Sequence, residues 1–524
     1  MPLRTLIKRS EYHDSVSLML AARELASSTG VIDAAVVMAT EANKGILVEA
    51  GLLDELGRAA SSNDLIIAIN ADSEASAERA LQTAETLLKA KSIAAQTGEF
   101  RPKTIRSALA AHPEANLAVI SVAGRYAADE AWQALHAGLH VLLFSDNVSL
   151  EDEIALKRYA VDHDLLMMGP GAGTAILNGV ALGFANVVPG GPVGILSAAG
   201  TGLQEVSTLL ARQGVGISQG IGTGGRDLKE EVGGMMMLTG LRALQEDPAT
   251  KVLLLVSKPP DASVTEEVLD QIASGTKPAV VCFLGGNPAM VQAVPNAIPA
   301  RTLQEAALLT ARLAGAPLAE LADVLSQENQ QLESKARQLQ ERLAPDQRFL
   351  RGLFSGGTLC YEAQVIWREL LTEPVLSNAP LKPADRLPDS NHSQGHSAVD
   401  LGEEEFTVGR PHPMIDNDLR IRRLLQEARD PQVAVIMLDV VIGYGAHPDP
   451  AAELAQSVGE ARQIAAQNGH ELIVVASVTG TSDDPQGLEK QIHALEGAGV
   501  IICESNASAA RLAAYVLHGR LGVI

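Results

Sequence analysis

The sequence predicts an α/β protein made of several Rossmann- or flavodoxin-like three-layer domains, two of which are copies of one another. Three observations carry this reading. Short apolar runs alternate with helix-length segments along most of the chain, the pattern of sheets covered by helices. A small-residue turn reading Gly-Thr-x-x-x-Glu occurs twice, at residues 200–205 and 357–362, each time after an apolar run. Residues 251–256 and 277–281 have counterparts at 432–437 and 471–475, an internal repeat with one insertion.

With 524 residues the chain has room for three or four cores. Residues 1–98 read as a small α/β domain, with strands at 3–8, 31–39 and 64–70 and helices at 12–28, 41–56 and 72–95. Its glycines, Gly30, Gly45, Gly51 and Gly57, form no phosphate-binding turn. A linker at 96–103 leads into residues 99–187, a Rossmann-like domain with strands at 117–122, 139–144 and 165–168. That domain ends in Met168-Gly169-Pro170-Gly171-Ala172-Gly173-Thr174, either a turn between domains or a ligand loop, with Asn178 and Asn186 beyond.

Residues 188–343 form the first flavodoxin-like copy, with strands at 192–197, 215–219, 251–257 and 278–284 and a charged helical stretch near 316–343. Residues 344–524 form the second, with strands near 350–355, 432–440, 471–478 and 499–503. Its insertion, 374–396, is rich in Pro, Asp, Ser and Asn and reads as a mobile loop of the kind that forms lids or contact surfaces.

A formal charge of −22 argues against nucleic acid or an anionic membrane as the main partner. Three scattered cysteines make neither a disulfide framework nor a zinc cluster, and no His/Cys/Asp/Glu spacing reads as a metal site. No run approaches the roughly 18 apolar residues of a membrane span, and the first nine residues lack a signal-peptide core, so a soluble, cytoplasmic protein is expected.

The chemistry is expected where the two turns open helices. Unpaired backbone N–H groups and the helix dipole favour a phosphate, a carboxylate or a developing oxyanion there. Gly200, Thr201 and Gly202, with Gly356, Gly357 and Thr358, are the candidate binders; the alternative is a pair of helix caps kept by duplication. Arg226, after Gly224-Gly225, either grips an anion bidentately or makes a surface salt bridge. Pro411 and Pro413 fix the backbone around His412, making it a proton donor or acceptor, or a structural histidine in a rigid turn. Arg410 stands beside it, and Asp416 either orients His412 or caps the helix beginning at Asn417.

Cys360 lies in the first turn of the second helix, where a thiolate is favoured, although a small buried thiol is the preferred reading. Asp439, His447 and Thr479-Gly480-Thr481 occupy strand ends, where α/β sites form.

These residues also carry a resemblance. Residues 128–186, including Trp132-Gln133-Ala134-Leu135-His136-Ala137-Gly138 and Met168-Gly169-Pro170, are similar to the α subunit of succinyl-CoA synthetase. So are residues 191–227, with Gly200-Thr201 and Gly222-Thr223-Gly224-Gly225, while the second copy resembles the C-terminal domain of that enzyme's β subunit. Over essentially its whole length the chain resembles the FdrA family, through Gly409-Arg410-Pro411-His412-Pro413-Met414-Ile415-Asp416 and Leu438-Asp439-Val440-Val441-Ile442-Gly443-Tyr444-Gly445.

The synthetase resemblance implies two helix N-termini facing one phosphoryl group. The FdrA resemblance implies purine catabolism through allantoin, as one subunit of a hetero-oligomeric oxamate carbamoyltransferase that interconverts oxalurate plus phosphate with oxamate plus carbamoyl phosphate. Carbamoyl phosphate, oxamate and oxalurate are then the expected ligands, with Arg410 and His412 auxiliary and a carbamoyl-cysteine at Cys360 the minor alternative. The synthetases carry a phosphorylated histidine in the segment equivalent to 282–288, but this chain has no histidine between His163 and His392. The glycine-rich CoA loop is absent near the start and nothing resembles an ATP-grasp domain, so neither CoA nor a nucleotide is expected as a cofactor. An acyl-CoA synthetase component, with a partner supplying nucleotide site and phosphoryl carrier, is the second reading. A non-catalytic scaffold or sensing subunit is the third.

Overall fold

Strands that are apolar on both faces have to be covered on both faces, and this requirement shapes most of the chain. A computed structural model describes residues 2–9, 11, 15–26, 28–94, 102–407 and 410–517. Most of the expected linker at 96–103 and part of the helix expected at 12–28 lie outside the described residues. The chain divides into two compact units: residues 1–103 with 404–411, and residues 104–403 with 412–524.

In the first unit the order is β1 (Leu3–Lys8), α1 (Ser15–Ala26), β2 (Val31–Met38), α2 (Glu41–Glu49), α3 (Glu55–Ala59), β3 (Leu65–Ala71) and α4 (Glu74–Ala94). The strands pair antiparallel in the order β1-β3-β2. Central β3 alternates its contacts with a period of two, as a pleated strand must. Leu65, Ile67 and Ile69 pack against Leu18 and Leu25 of α1 and Ala77 of α4, whereas Ile66 and Ala68 face Leu47 and Leu52.

The second unit opens with α5 (Ile105–Ala111), β4 (Leu117–Ile120), α6 (Gly124–His136), β5 (His140–Leu143), α7 (Leu150–Asp162) and β6 (Met167–Met168), whose strands form a parallel sheet β4-β5-β6. A hairpin follows, β7 (Thr174–Leu177) and β8 (Val180–Gly183), turning at Asn178-Gly179 with both residues at positive φ.

The first copy then runs β9 (Gly190–Ser197), α8 (Gly200–Arg212), β10 (Ile217–Gly222), α9 (Met235–Glu246), β11 (Val252–Ser257), α10 (Ala262–Ser274), β12 (Ala279–Phe283), α11 (Pro288–Gln292), β13 (Ala297–Pro299) and α12 (Leu303–Leu313). After α13 (Leu321–Gln340) the second copy runs β14 (Phe349–Phe354), α14 (Gly357–Leu370), β15 (Val375–Ser377), β16 (His396–Asp400), α15 (Glu404–Thr407, within the first unit), α16 (Asp418–Glu427), β17 (Val433–Val441), α17 (Pro450–Gln467), β18 (Ile473–Thr479), α18 (Leu488–Gly497), β19 (Ile501–Cys503) and α19 (Asn506–Tyr515).

The duplication is explicit in the sheets. The first is ordered β13-β12-β11-β9-β10, with the β7–β8 hairpin on its edge, and the second β19-β18-β17-β14-β16-β15. With β15 of the insertion left out of the count, the fifth, fourth, third, first and second strands occupy matching places and run parallel in both. All nine residues of β17 and all six of β11 are buried, and each such Val, Leu or Ile contributes roughly 1.5–3 kcal/mol. The segment 374–396, expected as a mobile loop, holds β15 and a 3-10 turn at Pro383–Asp385 before running into β16. Both strands are parallel members of the second sheet, so the polar segment hides one strand, β15, and ends on the first residue of another.

One core runs through both copies. Leu203, Val206 and Leu210 of α8 share it with Leu359, Ala363 and Trp367 of α14. The Trp367 indole donates to the Ala510 carbonyl at 2.9 Å, tying α14 to α19.

Candidate functional site

Each copy sends its first strand into a glycine turn and a helix, and the copies are packed so that the two helix starts meet. A Cβ on Gly202 would stand 3.0 Å from the Thr358 methyl, and one on Gly356 would stand 2.9 Å from Thr201 Oγ1. The glycines are thus the condition for the approach: each accommodates the threonine of the other copy. The Thr358 amide donates to Thr201 Oγ1 at 3.4 Å, and both threonines are buried. Gly200, Thr201 and Gly202 are therefore brought together with Gly356, Gly357 and Thr358.

The two starts differ in chemistry. At α14 the Asp439 carboxylate, from the buried end of β17, accepts the Ser355 amide at 2.7 Å, the Gly356 amide at 2.8 Å and the Ser355 hydroxyl at 3.1 Å. Arg420 of α16 donates to Asp439 Oδ1 at 3.0 Å and also to its carbonyl. An anion from the chain itself thus holds the two amides of the turn just before α14, while α14, like α8, has no side-chain cap. Burial pushes Asp439 up from the usual carboxylate range, while Arg420 and the accepted amides pull the other way.

At α8 no side chain caps the helix, and its N-cap, Ala199, has its own amide satisfied by Ser197 Oγ at 3.1 Å. Thr174, at the beginning of β7 and 1% exposed, carries a hydroxyl without a hydrogen-bond partner. That oxygen lies 3.4 Å from where a Cβ on Gly200 would stand.

Asp400, the last residue of β16, flanks the same joint. Its Oδ1 accepts the Gly402 amide at 2.9 Å, and Oδ2 lies 2.6 Å from the Cβ position of Gly357, the first residue of α14. Burial, then the charge of Glu403, pushes Asp400 up to about 7 against the pull of Lys258. Lys258, just past β11 of the first copy, is exposed, and its ammonium lies 5.5 Å from the Tyr361 ring centroid of α14. A cavity of about 400 Å³ opens beside it at the ends of β12 and β13, between Pro259, Phe283 and Val365.

His412 is half-buried against Phe184, ring centroids 5.6 Å apart. Its Nδ1 accepts the Met414 amide at 3.2 Å, so a neutral ring carries its proton on Nε2. Nε2 faces the Cβ position of Gly402 at 2.7 Å, from which Asp400 Oδ1 is 3.2 Å away. Burial, followed by the charge of Arg420, lowers His412 to about 4.

The other expected residues stand elsewhere. Arg226 pairs with Glu153 at 2.8 Å and donates to the Val148 carbonyl, the salt-bridge alternative. Asp416 Oδ1 accepts the Asp418 amide at 2.7 Å, serving the start of α16. Arg410 is exposed and belongs to the first unit's segment 404–411. Cys360 is a buried thiol pushed well up by desolvation and then by Asp400.

The motif glutamates have a structural task. Glu205 Oε1 of the first copy accepts the amide of Asn506, first residue of α19 in the second, at 3.0 Å. Glu362 Oε1 of the second accepts the amide of Leu303, first residue of α12 in the first, at 2.6 Å. Thr174 stood at the end of the glycine cluster read as a turn or a ligand loop, whereas Asp400 was not picked out by sequence. Asp400 ends a strand as Asp439 does, but that strand, His396–Asp400, starts at the last residue of the polar insertion and has no apolar run to announce it.

Two copies of a strand-turn-helix unit, joined at their helix starts, define a fold of the CoA-ligase kind. A CoA-ligase family model matches residues 353–516, and a model described as the AllF, heavy metal-associated domain matches residues 1–103. The uncharacterized protein YahF of Escherichia coli K12 is 47% identical over 521 residues, 98% of each chain. The chain belongs to the same family as YahF.

Succinate–CoA ligase [ADP-forming] subunit alpha of Staphylococcus epidermidis and of Staphylococcus aureus is 28% identical over 182 residues, 33% of this chain and 58% of those subunits. Among solved structures, the apo dinucleotide-forming acetyl-coenzyme A synthetase 1 of Ca. Korarchaeum cryptofilum is 15% identical, with 77% of this chain and 83% of that one covered and a TM-score of 0.32. The Methanothrix soehngenii ATP citrate lyase in complex with citrate and coenzyme A is 24% identical, with 42% and 39% covered and a TM-score of 0.31.

The heavy-metal description does not fit this chain's first unit. Residues 1–103 contain no cysteine, the donor soft metals select, and their one histidine, His13, lies outside the described residues. No group of three His, Cys, Asp or Glu placed to hold an ion occurs among the described residues. No described helix is long and apolar enough to cross a membrane.

Proposed function

We propose that the chain is the ligase-type subunit of an acyl-transfer enzyme of the succinyl-CoA synthetase kind. It binds the anionic acyl or phosphoryl group at the start of α8 and depends on a partner chain for the nucleotide site and the phosphoryl carrier. The observation that carries this reading is the buried, unpartnered Thr174 hydroxyl beside an uncapped helix start. Free amides, a helix dipole and one hydroxyl donor suit an anion whose charge grows in a transition state. The name of the succinate–CoA ligase relatives, subunit alpha, supports a hetero-oligomer.

A second reading is carbamoyl transfer, exchanging oxalurate plus phosphate for oxamate plus carbamoyl phosphate. What favours it is the absence of histidine between His163 and His392, because a phosphate-accepting carbamoyl transfer needs neither phosphohistidine nor nucleotide. The AllF model matching the first unit and the FdrA resemblance point the same way.

Incubating the purified complex with oxalurate and phosphate separates the two. Carbamoyl phosphate formed without nucleotide or CoA supports the second reading; product that requires both ATP and CoA supports the first. Full activity from the partners without this chain would leave only a scaffold.

A further inference from the structure

This inference rests on the reading that an anion binds at the start of α8, beside the turn that precedes α14, and concerns where its charge is balanced. We propose that Asp400 is the proton-holding group of this site, so that the bound anion enters together with one proton carried on the Asp400 carboxyl.

Four features of the fold support this assignment. Asp400 is 2% exposed and ends a central parallel strand, so its carboxyl cannot swing away to water. Oδ1 is fixed by the Gly402 amide, which leaves Oδ2 against Gly357 at the first residue of α14. Thr201 of α8 lies against Gly356, the adjacent residue of the same turn, so carboxyl and helix starts flank one two-glycine turn. The Thr174 hydroxyl marks the α8 side of that joint as built for a ligand rather than merely capped.

The surrounding charges decide which way the proton moves. Glu403 on its own loop and Asp439 on β17 favour the protonated acid, and Lys258 beyond β11 opposes it. Arg420 is engaged by Asp439, and His412 is held neutral at neutral pH, so neither takes up the proton instead. Asp400 sits at about 7 before a ligand arrives. A unit negative charge on the order of 8 Å away, at an effective dielectric of about 20, raises a carboxyl's proton affinity roughly 30-fold. Binding is then E–COO⁻ + H⁺ + A⁻ giving E–COOH·A⁻, with no other group changed. A carboxyl poised near neutrality is also suited to returning that proton to a leaving group.

The test uses sulfate, whose charge is constant from pH 6 to 9, titrated calorimetrically into the full chain in two buffers of different ionisation enthalpy. For this doubly charged probe the expected result is affinity about 30-fold weaker at pH 8.5 than at pH 6, with most of a proton taken up per sulfate near pH 7.5. Asp400→Asn, which keeps an acceptor for the Gly402 amide, should abolish the slope, and Glu362→Gln should leave it unchanged. Sulfate binding without proton uptake by the unaltered chain, or an unchanged slope in Asp400→Asn, overturns the assignment to Asp400 alone. No sulfate binding at any pH up to tens of millimolar would overturn the anion-site reading and this one with it.

Discussion

A hydroxyl taken out of water without a partner costs about 1–3 kcal/mol, and Thr174 keeps one beside the start of α8. Thr174→Val preserves the shape and removes the orphan. Its stability in urea should be unchanged or higher by up to about 1 kcal/mol, while anion affinity falls about 5–10-fold. Lower stability would mean that the hydroxyl serves the fold instead. Arg420 gives the opposite case. Its guanidinium is buried and neutralises Asp439, which in turn holds the Ser355 and Gly356 amides. Arg420→Met leaves that carboxylate unpaired and should cost about 3–5 kcal/mol in chemical denaturation.

Among the elements, α12 and α19 owe their first hydrogen bonds to glutamates on the opposite copy. Glu205→Ala should therefore loosen α19, about 300 positions away in sequence, and hydrogen exchange should show α19 amides losing protection before those of α8 itself. The glutamate was legible as part of a repeated motif, but its task was not, because its donor Asn506 stands 301 residues away. The regular strands were readable because β11 and β17 are continuous apolar runs bounded by polar turns. The β7–β8 hairpin left a usable signal, Asn178-Gly179, which suits a two-residue turn with both residues at positive φ. It was hidden beneath the glycine cluster before it. β16, His-Ser-Ala-Val-Asp, has neither alternation nor an apolar run; it is buried because it lies between β15 and β14. The two helix starts were legible, but the carboxylate on the turn before the second was not, since Asp439 reaches Ser355 and Gly356 only through the folded sheet.

For the molecule as a whole, pH acts through two opposed sets of buried groups. Burial pushes Asp400 and Glu362 up to about 7, so the folded state holds protons the unfolded chain releases, and this stability is lost as pH rises toward and through 7. Burial and Arg351 lower His396 to about 4, and His412 is lowered likewise; their stability is present above about 6.5 and lost as pH falls toward 4. Each buried group contributes up to about 1.4 kcal/mol per pH unit, and the sets partly cancel between pH 4.5 and 6.5. Glu362→Gln should unmask the histidines, giving a urea midpoint that rises more steeply with pH across that window than the parent's; a parallel curve would remove Glu362 from the balance. The crossed glutamates have a consequence for any attempt to divide this protein. A chain severed in the connection after α13 would yield two pieces, each carrying a helix, α12 or α19, whose first amide is bonded by a glutamate of its former neighbour. Neither piece is a finished product, and the two should recapture one another when mixed, much as subunits do.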